Sequence, residues 1–419
     1  MAGSTLQAPD WVPVAPADDI GSTPVPVRAG GRDWVLVRLH ADGPPAVYSA
    51  HCPHRLVPLA AATVVDGTLQ CAYHGWRFAT DGRCTVVPSL GTESHVPPRA
   101  DLPPPPEVRE DAGQVWLRVR PEEPAADVVP ELTNLDPALR RAWHPVALVS
   151  ELDDGPQAVR LLGEDRRVWH AENGTFAASP TPYGVIERWG LVWLAPERPL
   201  DDLFDDPDVE DRDYVSAWVP PARTNVSAGH VADNFLDVAH FPFVHAATFG
   251  PDTTFVEPYE VQPETSGFRS IQVQPFDNPE DPAVPTGERP LRQNRRATYV
   301  YRAPFQLMLR LEELDAGAVK TILFFAQPED LTSTRIYTKM LLYGIGGQER
   351  PDPDVVAREV AFEEAVLAED LALQRGMDAT GLPLELRTEL HVRADRLGVA
   401  LRRELRSFTE RAADARIDA

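Results

Sequence analysis

Cys52-Pro-His54, sixteen intervening residues, then Cys71-Ala-Tyr-His74 constrain this chain more than any other stretch of it. Two thiolates and two imidazoles come from two short segments, in the alternating order Cys, His, Cys, His. That set suits a [2Fe–2S] cluster in which two Cys hold one iron and two His the other, each segment giving one ligand to each iron. Neutral imidazoles in place of two thiolates lower the negative charge on the cluster, so it accepts an electron more readily. The residue types would also satisfy a tetrahedral zinc ion, although zinc fingers usually group like ligands.

The flanking residues narrow the choice. Cys52-Pro-His-Arg55, Cys71-Ala-Tyr-His-Gly-Trp76 and Asp81-Gly82 together resemble the Rieske domain of the Rieske non-heme iron oxygenases. The resemblance implies a terminal oxygenase with an α+β fold: an N-terminal all-β Rieske domain and a C-terminal helix-grip (StAR-related) catalytic domain holding one further iron.

At 419 residues the chain is too long for one small core, and two or three domains are expected. Hydrophobic content of 43% with 25% charged residues fits a soluble protein, and no run approaches eighteen apolar residues. The net charge of −24 disfavours nucleic acid and anionic membranes as partners. Met1-Ala-Gly-Ser-Thr-Leu6 has neither the basic nor the apolar region of a secretion signal. Of three cysteines, Cys84 has no intrachain disulfide partner once the cluster takes two, which fits a reducing cytoplasm. The 43 prolines favour loops and short strands over long helices through most of the chain.

Residues 11–120 alternate in short segments such as Trp34–Leu39 and Gln114–Val119, an antiparallel β pattern, and Pro97–Pro106 reads as an extended crossing. The expected organisation is a Rieske domain over 1–122, a Pro- and acid-rich linker over 123–142, a second β segment over 143–200 and the catalytic domain over 201–419. The second segment repeats the first. At a shift of 132, Trp11, Pro13, Val14, Val27, Arg28, Gly31 and Asp33 recur as Trp143, Pro145, Val146, Val159, Arg160, Gly163 and Asp165. At a shift of 77, Val108, Glu110, Gly113, Val115, Trp116 and Leu117 recur as Val185, Glu187, Gly190, Val192, Trp193 and Leu194. The 55 residues missing between are those that hold all four cluster ligands in the first copy. This predicts a degenerate, cluster-less Rieske-like β base, acting as a spacer or interface module.

Farther on, Asn225–His240 reads as a helix, Gln306–Leu311, Val319–Phe325 and Arg335–Tyr343 as strands, and 355–376 and 386–414 as helices. Asp233-Asn-Phe-Leu-Asp237-Val-Ala-His240-Phe-Pro-Phe-Val-His245 resembles the iron motif of these oxygenases. Asp237 and His240, three apart, would share a helical face, and Pro242 should break the helix and bring His245 back toward His240. Two histidines and one carboxylate form the facial triad of a non-heme Fe(II) oxygenase, leaving positions open for O₂ and substrate. On the 355–376 helix, Val355, Val356, Val360, Phe362, Val366, Leu367, Leu371 and Leu373 define an apolar face. Asp370 projects from its middle, Glu363 shares it and competes as ligand, and Glu364 and Glu369 lie at or beyond its edges. A carboxylate on a buried face calls for a partner or a metal, and the resemblance favours Asp370. His40, His95, His144, His170, His230 and His391 are given no metal role.

The resemblance further implies a homotrimer in which electrons pass between neighbouring subunits, with Asp237 linking His240 to a cluster histidine, His54 or His74. A separate NAD(P)H-linked reductase, with or without a ferredoxin, must supply electrons, since nothing here resembles a nicotinamide or flavin site. A small apolar or aromatic molecule is the expected substrate, with a monooxygenase-type reaction (hydroxylation, demethylation or a related oxidation) favoured over dioxygenation. Two other classes remain: an electron carrier, which would need only the first domain, and a non-catalytic scaffold without iron.

Overall fold

The computed structural model describes residues 10–92, 95–119, 131–249, 253–279, 281–377 and 379–417. The expected linker over 123–142 therefore falls partly outside the described residues, its remainder forming a short strand, Glu131–Thr133, and a 3₁₀ segment, Pro137–Arg141. The chain divides into two compact units.

The first comprises 1–129 together with 238–256 and 386–394. It is antiparallel β throughout its N-terminal part: Asp10–Pro16 pairs with Gln114–Val119, and that strand with Glu107–Asp111. A second sheet joins Val25–Ala29, Arg32–Val37 and Ala46–Ser49. Four short strands, Thr63–Val65, Thr68–Gln70, Arg77–Phe78 and Cys84–Val86, build the tip that carries the cysteines and histidines. The core between the first two sheets holds Ile20, Ala29, Leu36, Val47, Val115 and Leu117. The Pro-rich run expected to be extended is interrupted by a 3₁₀ turn at Pro98–Ala100, where two consecutive prolines supply the fixed φ that begins such a turn.

The second unit comprises 130–237, 257–385 and 395–419. Its centre is an antiparallel sheet of seven strands in the order 215–224, 333–343, 318–330, 306–313, 292–302, 267–277, 262–264. Before it in sequence stand two three-stranded sheets whose pairing reproduces that of the first unit. His144–Leu148 pairs with Leu191–Ala195, and Gly184–Arg188 flanks it; Gln157–Leu161, Glu164–His170 and Phe176–Ser179 form the other. The register agrees residue by residue. Pro13 faces Trp116 and Ala15 faces Val115 across a bulge; Pro145 faces Trp193 and Ala147 faces Val192 across an equivalent bulge. The Trp116 indole donates to Asp111 O at 3.3 Å, and the Trp193 indole donates to Arg188 O at 3.2 Å. The core matches too: Val146, Leu152, Leu161, Val168, Ala178, Val192 and Leu194 stand where Val14, Ile20, Ala29, Leu36, Val47, Val115 and Leu117 stand earlier.

The outer faces differ. Leu148, Trp189, Leu191 and Trp193 are buried against Leu203, Phe204, Leu323 and Phe325. Their counterparts are Pro16 and Ala112, both exposed, and Gln114 and Trp116, both half-buried. Changing Gln to Leu and Ala to Trp at these positions turns a wet face into one that can join the aromatic cluster, and burial of such side chains stabilises by about 1.5–3 kcal/mol each.

Five helices matter for the site: α1 (Ala228–Phe235), α2 (Phe241–Val244), α3 (Ala246–Phe249), α4 (Pro353–Gln374) and α5 (Arg396–Ile417). Three expectations need correction. The helix expected over Asn225–His240 is only α1, which starts at the Ser227 cap and stops at Phe235. Pro242 therefore does not break a helix; it occupies the first turn of α2, where its missing N–H costs nothing. The last helix begins at Arg396 rather than near 386, because 386–394 packs with the first unit instead. Finally, α4 does not bury its apolar face: only Val355 and Gln374 are fully buried, while Phe362, Val366, Leu367, Leu371 and Leu373 remain half-buried.

Trp193 is fully buried where the cluster-less sheets meet the aromatic cluster. Trp193→Ala should cost about 3–5 kcal/mol, read as a drop in the urea midpoint at unchanged slope.

Candidate iron–sulfur and mononuclear iron sites

The two cysteine loops are closed by the same pair of backbone hydrogen bonds. Leu56 N–H donates to Cys52 O at 3.0 Å and Cys52 N–H to Val57 O at 3.0 Å; Gly75 N–H donates to Cys71 O at 3.1 Å and Cys71 N–H to Trp76 O at 2.9 Å. Each turn needs a left-handed residue at its fourth position after cysteine, filled by Leu56 (φ 54°) and Gly75 (φ 66°). Gly75 has a second constraint, since a Cβ there would lie 2.1 Å from Cε1 of Phe243.

These closures bring the four side chains together. His54 Nδ1 and His74 Nδ1 are 3.1 Å apart, and none of Cys52, His54, Cys71 and His74 is more than 3% exposed. The Trp76 ring stacks on His54 at 4.5 Å and 10°. Burial pushes the Cys52 thiol well up, while the hydrogen bond from Cys52 draws Cys71 down to about 7. Two sulfurs and two Nδ1 atoms converging from opposed loops fit a [2Fe–2S] cluster ligated Cys₂His₂. Cys84 stands apart, with burial raising its thiol to about 12, so it stays protonated and unreactive.

His240 and His245 flank α2. His240 is its N-cap and His245 its C-cap, so one turn of helix folds the pair together, with Nε2 of each 3.0 Å from the other. Both rings are buried, at 2% and 0% exposure. The Tyr73 ring lies 4.0 Å from that of His74 and 5.7 Å from that of His240, so within this unit the cluster loop adjoins the histidine segment.

The carboxylates belong to the other unit. Asp237 is buried one residue beyond the α1 cap, held by its N–H to Asn234 O at 3.1 Å. Burial, with the Asp237 charge adding to it, pushes the Tyr259 and Tyr299 hydroxyls well above the usual tyrosine range. Asp370, half-buried on α4, accepts a hydrogen bond from Asn234 Nδ2 at 3.2 Å. Glu363 stands seven residues earlier, about 10 Å along the helix. Sequence reasoning missed Asn234, Gln374 and Arg402, which are buried here; the one local signal was Asn234 inside the iron motif. Of the histidines left unassigned, His144 is buried and bonded to Leu139 O at 2.7 Å, and burial lowers it to about 4.

Residues 10–102 match the family profile "Rieske [2Fe-2S] domain", and 224–411 match "Vanillate O-demethylase oxygenase C-terminal domain". The chain belongs to the Rieske non-heme iron oxygenases, a family of oxidoreductases. Residues 103–223 lie between the two matches. Chlorophyllide a oxygenase of Arabidopsis thaliana is 37% identical over 123 residues, which is 29% of this chain and only 22% of that protein. A probable methylxanthine N7-demethylase of a Pseudomonas species, NdmC, is 27% identical over 275 residues, covering 63% of this chain and 92% of the relative. Dicamba monooxygenase, solved with 3,6-dichlorosalicylic acid, is 16% identical with a TM-score of 0.46, covering 96% of this chain and 97% of that one. No helix among the described residues is long and apolar enough to cross a membrane.

Purified protein is expected to contain acid-labile sulfide and the visible absorption of a Rieske cluster. Cys71→Ala should remove both while far-UV circular dichroism is retained; zinc without sulfide in the parent protein would contradict the assignment.

Proposed function

We propose that this chain is the terminal oxygenase of a multicomponent system. Cys52, His54, Cys71 and His74 would hold a cluster that takes electrons from NAD(P)H through a separate reductase, with or without a ferredoxin. His240, His245 and Asp370 would hold a mononuclear iron. The iron, when bound, supplies O₂ activation; the chain supplies the ligands, their orientation and the exclusion of water. The observation that carries this reading is the convergence of His240 Nε2 and His245 Nε2 at 3.0 Å between two buried rings. Asp370 is favoured over Glu363 because it is bonded to Asn234, only six residues before His240 in the chain. The substrate is a small aromatic or similarly apolar molecule, and the reaction is a monooxygenation of the demethylation or hydroxylation type, as the names of the relatives suggest.

The catalytic half, a seven-stranded antiparallel sheet with α4 and α5, is read as a helix-grip domain. Residues 143–196 are read as a second Rieske base that has lost its metal tip and become a structural module; the matched registers and core positions support this. The working form is a cytoplasmic homotrimer; because the Tyr73 ring lies 4.0 Å from that of His74 and 5.7 Å from that of His240 in one chain, a route within the subunit competes with transfer between neighbours. Asp237, buried just before His240, links that histidine to a cluster histidine, and Asp237→Ala should keep both metals yet lose electron transfer.

His240→Ala, His245→Ala and Asp370→Ala should each lose the mononuclear iron and turnover while keeping the cluster spectrum, whereas Glu363→Ala keeps both metals. Full activity in Asp370→Ala would overturn the carboxylate assignment. Transfer between neighbours is tested by mixing. Cys71→Ala and His240→Ala subunits are each inactive, but equal co-assembly should restore about a quarter of parental turnover if each cluster serves the next subunit of a ring. No recovery in verified mixed oligomers would place transfer within one chain.

A further inference from the structure

Gln374, the last residue of α4, is buried to 4% exposure in a helix whose only other buried residue is Val355. A leucine would fill that space without the cost of burying an amide, so its hydrogen bonds call for a reason. They form a directional chain through three elements. Thr224 Oγ1, at the end of strand 215–224, donates to Gln374 Oε1 at 3.0 Å. Gln374 Nε2 donates to Asn234 Oδ1 at 2.7 Å, and Asn234 Nδ2 donates to Asp370 Oδ1 at 3.2 Å. Thr224 and Asn234 are themselves buried, at 7% and 6%.

The direction of this chain follows from its end. An ionised carboxylate only accepts, so Asn234 must turn its NH₂ toward Asp370. Its oxygen then faces Gln374, which must present NH₂, and the Gln374 oxygen is left for a hydroxyl that donates. Asp370 and Gln374 are four residues apart on one face of α4, so a single amide from α1 bridges both. Remove the far end, and nothing stops the two amides from flipping and presenting an oxygen to the carboxylate.

We propose that Gln374 and Thr224 are positioning residues for Asp370: they lock the Asn234 amide in the orientation that donates to this carboxylate and so fix its direction toward the metal. The proposal rests on the iron-site reading above. Groups that orient a metal ligand from behind typically change metal affinity by about 10- to 100-fold when removed.

The test is equilibrium Co(II) binding to full-length protein stripped of mononuclear iron, by competition with a fluorescent chelator. Parent, His240→Ala, Gln374→Leu, Thr224→Val and Thr224→Ser are compared, with cluster absorption and melting temperature as checks on folding. Gln374→Leu and Thr224→Val should each bind Co(II) about tenfold or more weakly, and Thr224→Ser, which restores the donor, should match the parent. A purely packing role for Thr224 predicts the opposite order, because valine keeps the volume that serine loses. Parental affinity in both Gln374→Leu and Thr224→Val overturns the relay alone. If the parent binds no more tightly than His240→Ala, the iron site itself is wrong and the relay falls with it. Should Gln374→Leu not fold, the Thr224 pair still decides.

Discussion

Asp233 and Arg402 form a two-pronged ion pair, at 2.7 and 2.9 Å, with the arginine completely buried. Taking both charges out of water is costly, and the two parallel hydrogen bonds of the fork offset part of that cost. Here Arg402 also donates to Gly398 O at 3.0 Å within α5. The pair matters because α1 has eight residues, too few to be stable on propensity alone. Its start is fixed separately: Asn134 Oδ1 accepts from Ala228 N–H at 2.8 Å, while Asn134 Nδ2 donates to Asp330 O, Ser333 O and Thr334 Oγ1. With both ends tied, Asn234 and Asp237 are delivered to set positions. The carboxylate on α4 is reached through α1, so the geometry of the candidate iron site depends on this short helix.

The paired β sheets in the two halves share strand pairing, a bulge and inward-facing core positions. In the first unit the inner residues hold the sheets together and the tip between them carries the ligands. In the second, the inner residues and even the bulge at Pro145/Ala147 persist, but the connection Ala171–Thr175 between two strands is a tight turn. Arg28–Asp33 recurs as Arg160–Asp165, and there Arg160 also reaches Asp330 at 2.8 Å, tying the module to the catalytic sheet. The inward faces of the two pairs match, while the outward face of the second is apolar and buried.

Legibility in the sequence followed the range of the interactions concerned. The two loops that bring Cys52, His54, Cys71 and His74 together were readable because a Cys-x-His and a Cys-x-x-His loop carry their geometry in five or six residues, including the left-handed position at Gly75. The strands were readable because alternation is local. The end of α1 was not, since Asp237 and His240 at a three-residue spacing look helical although the chain turns after Leu236. The apolar face of α4 misled in another way: periodicity reports what a helix could bury, and here much of that face is half-exposed.

Asp370 shares that face with Glu363, and the face is not what holds it. Its described partner is Asn234, which is 136 residues away in sequence, and the amide behind that partner is Gln374. A pattern search on α4 sees an acid and a glutamine one turn apart and cannot know that one amide on α1 meets both. Nor does it see that this amide's orientation is set by a threonine hydroxyl on a strand. Polar networks of this kind are invisible to periodicity because each member pairs across the fold, and they are costly to bury unless every member is satisfied. That requirement makes Thr224, Gln374 and Asn234 a single unit. The cost of burying three polar side chains in one place is offset only if all three remain bonded, which restricts the carboxylate at the end of the chain to one direction.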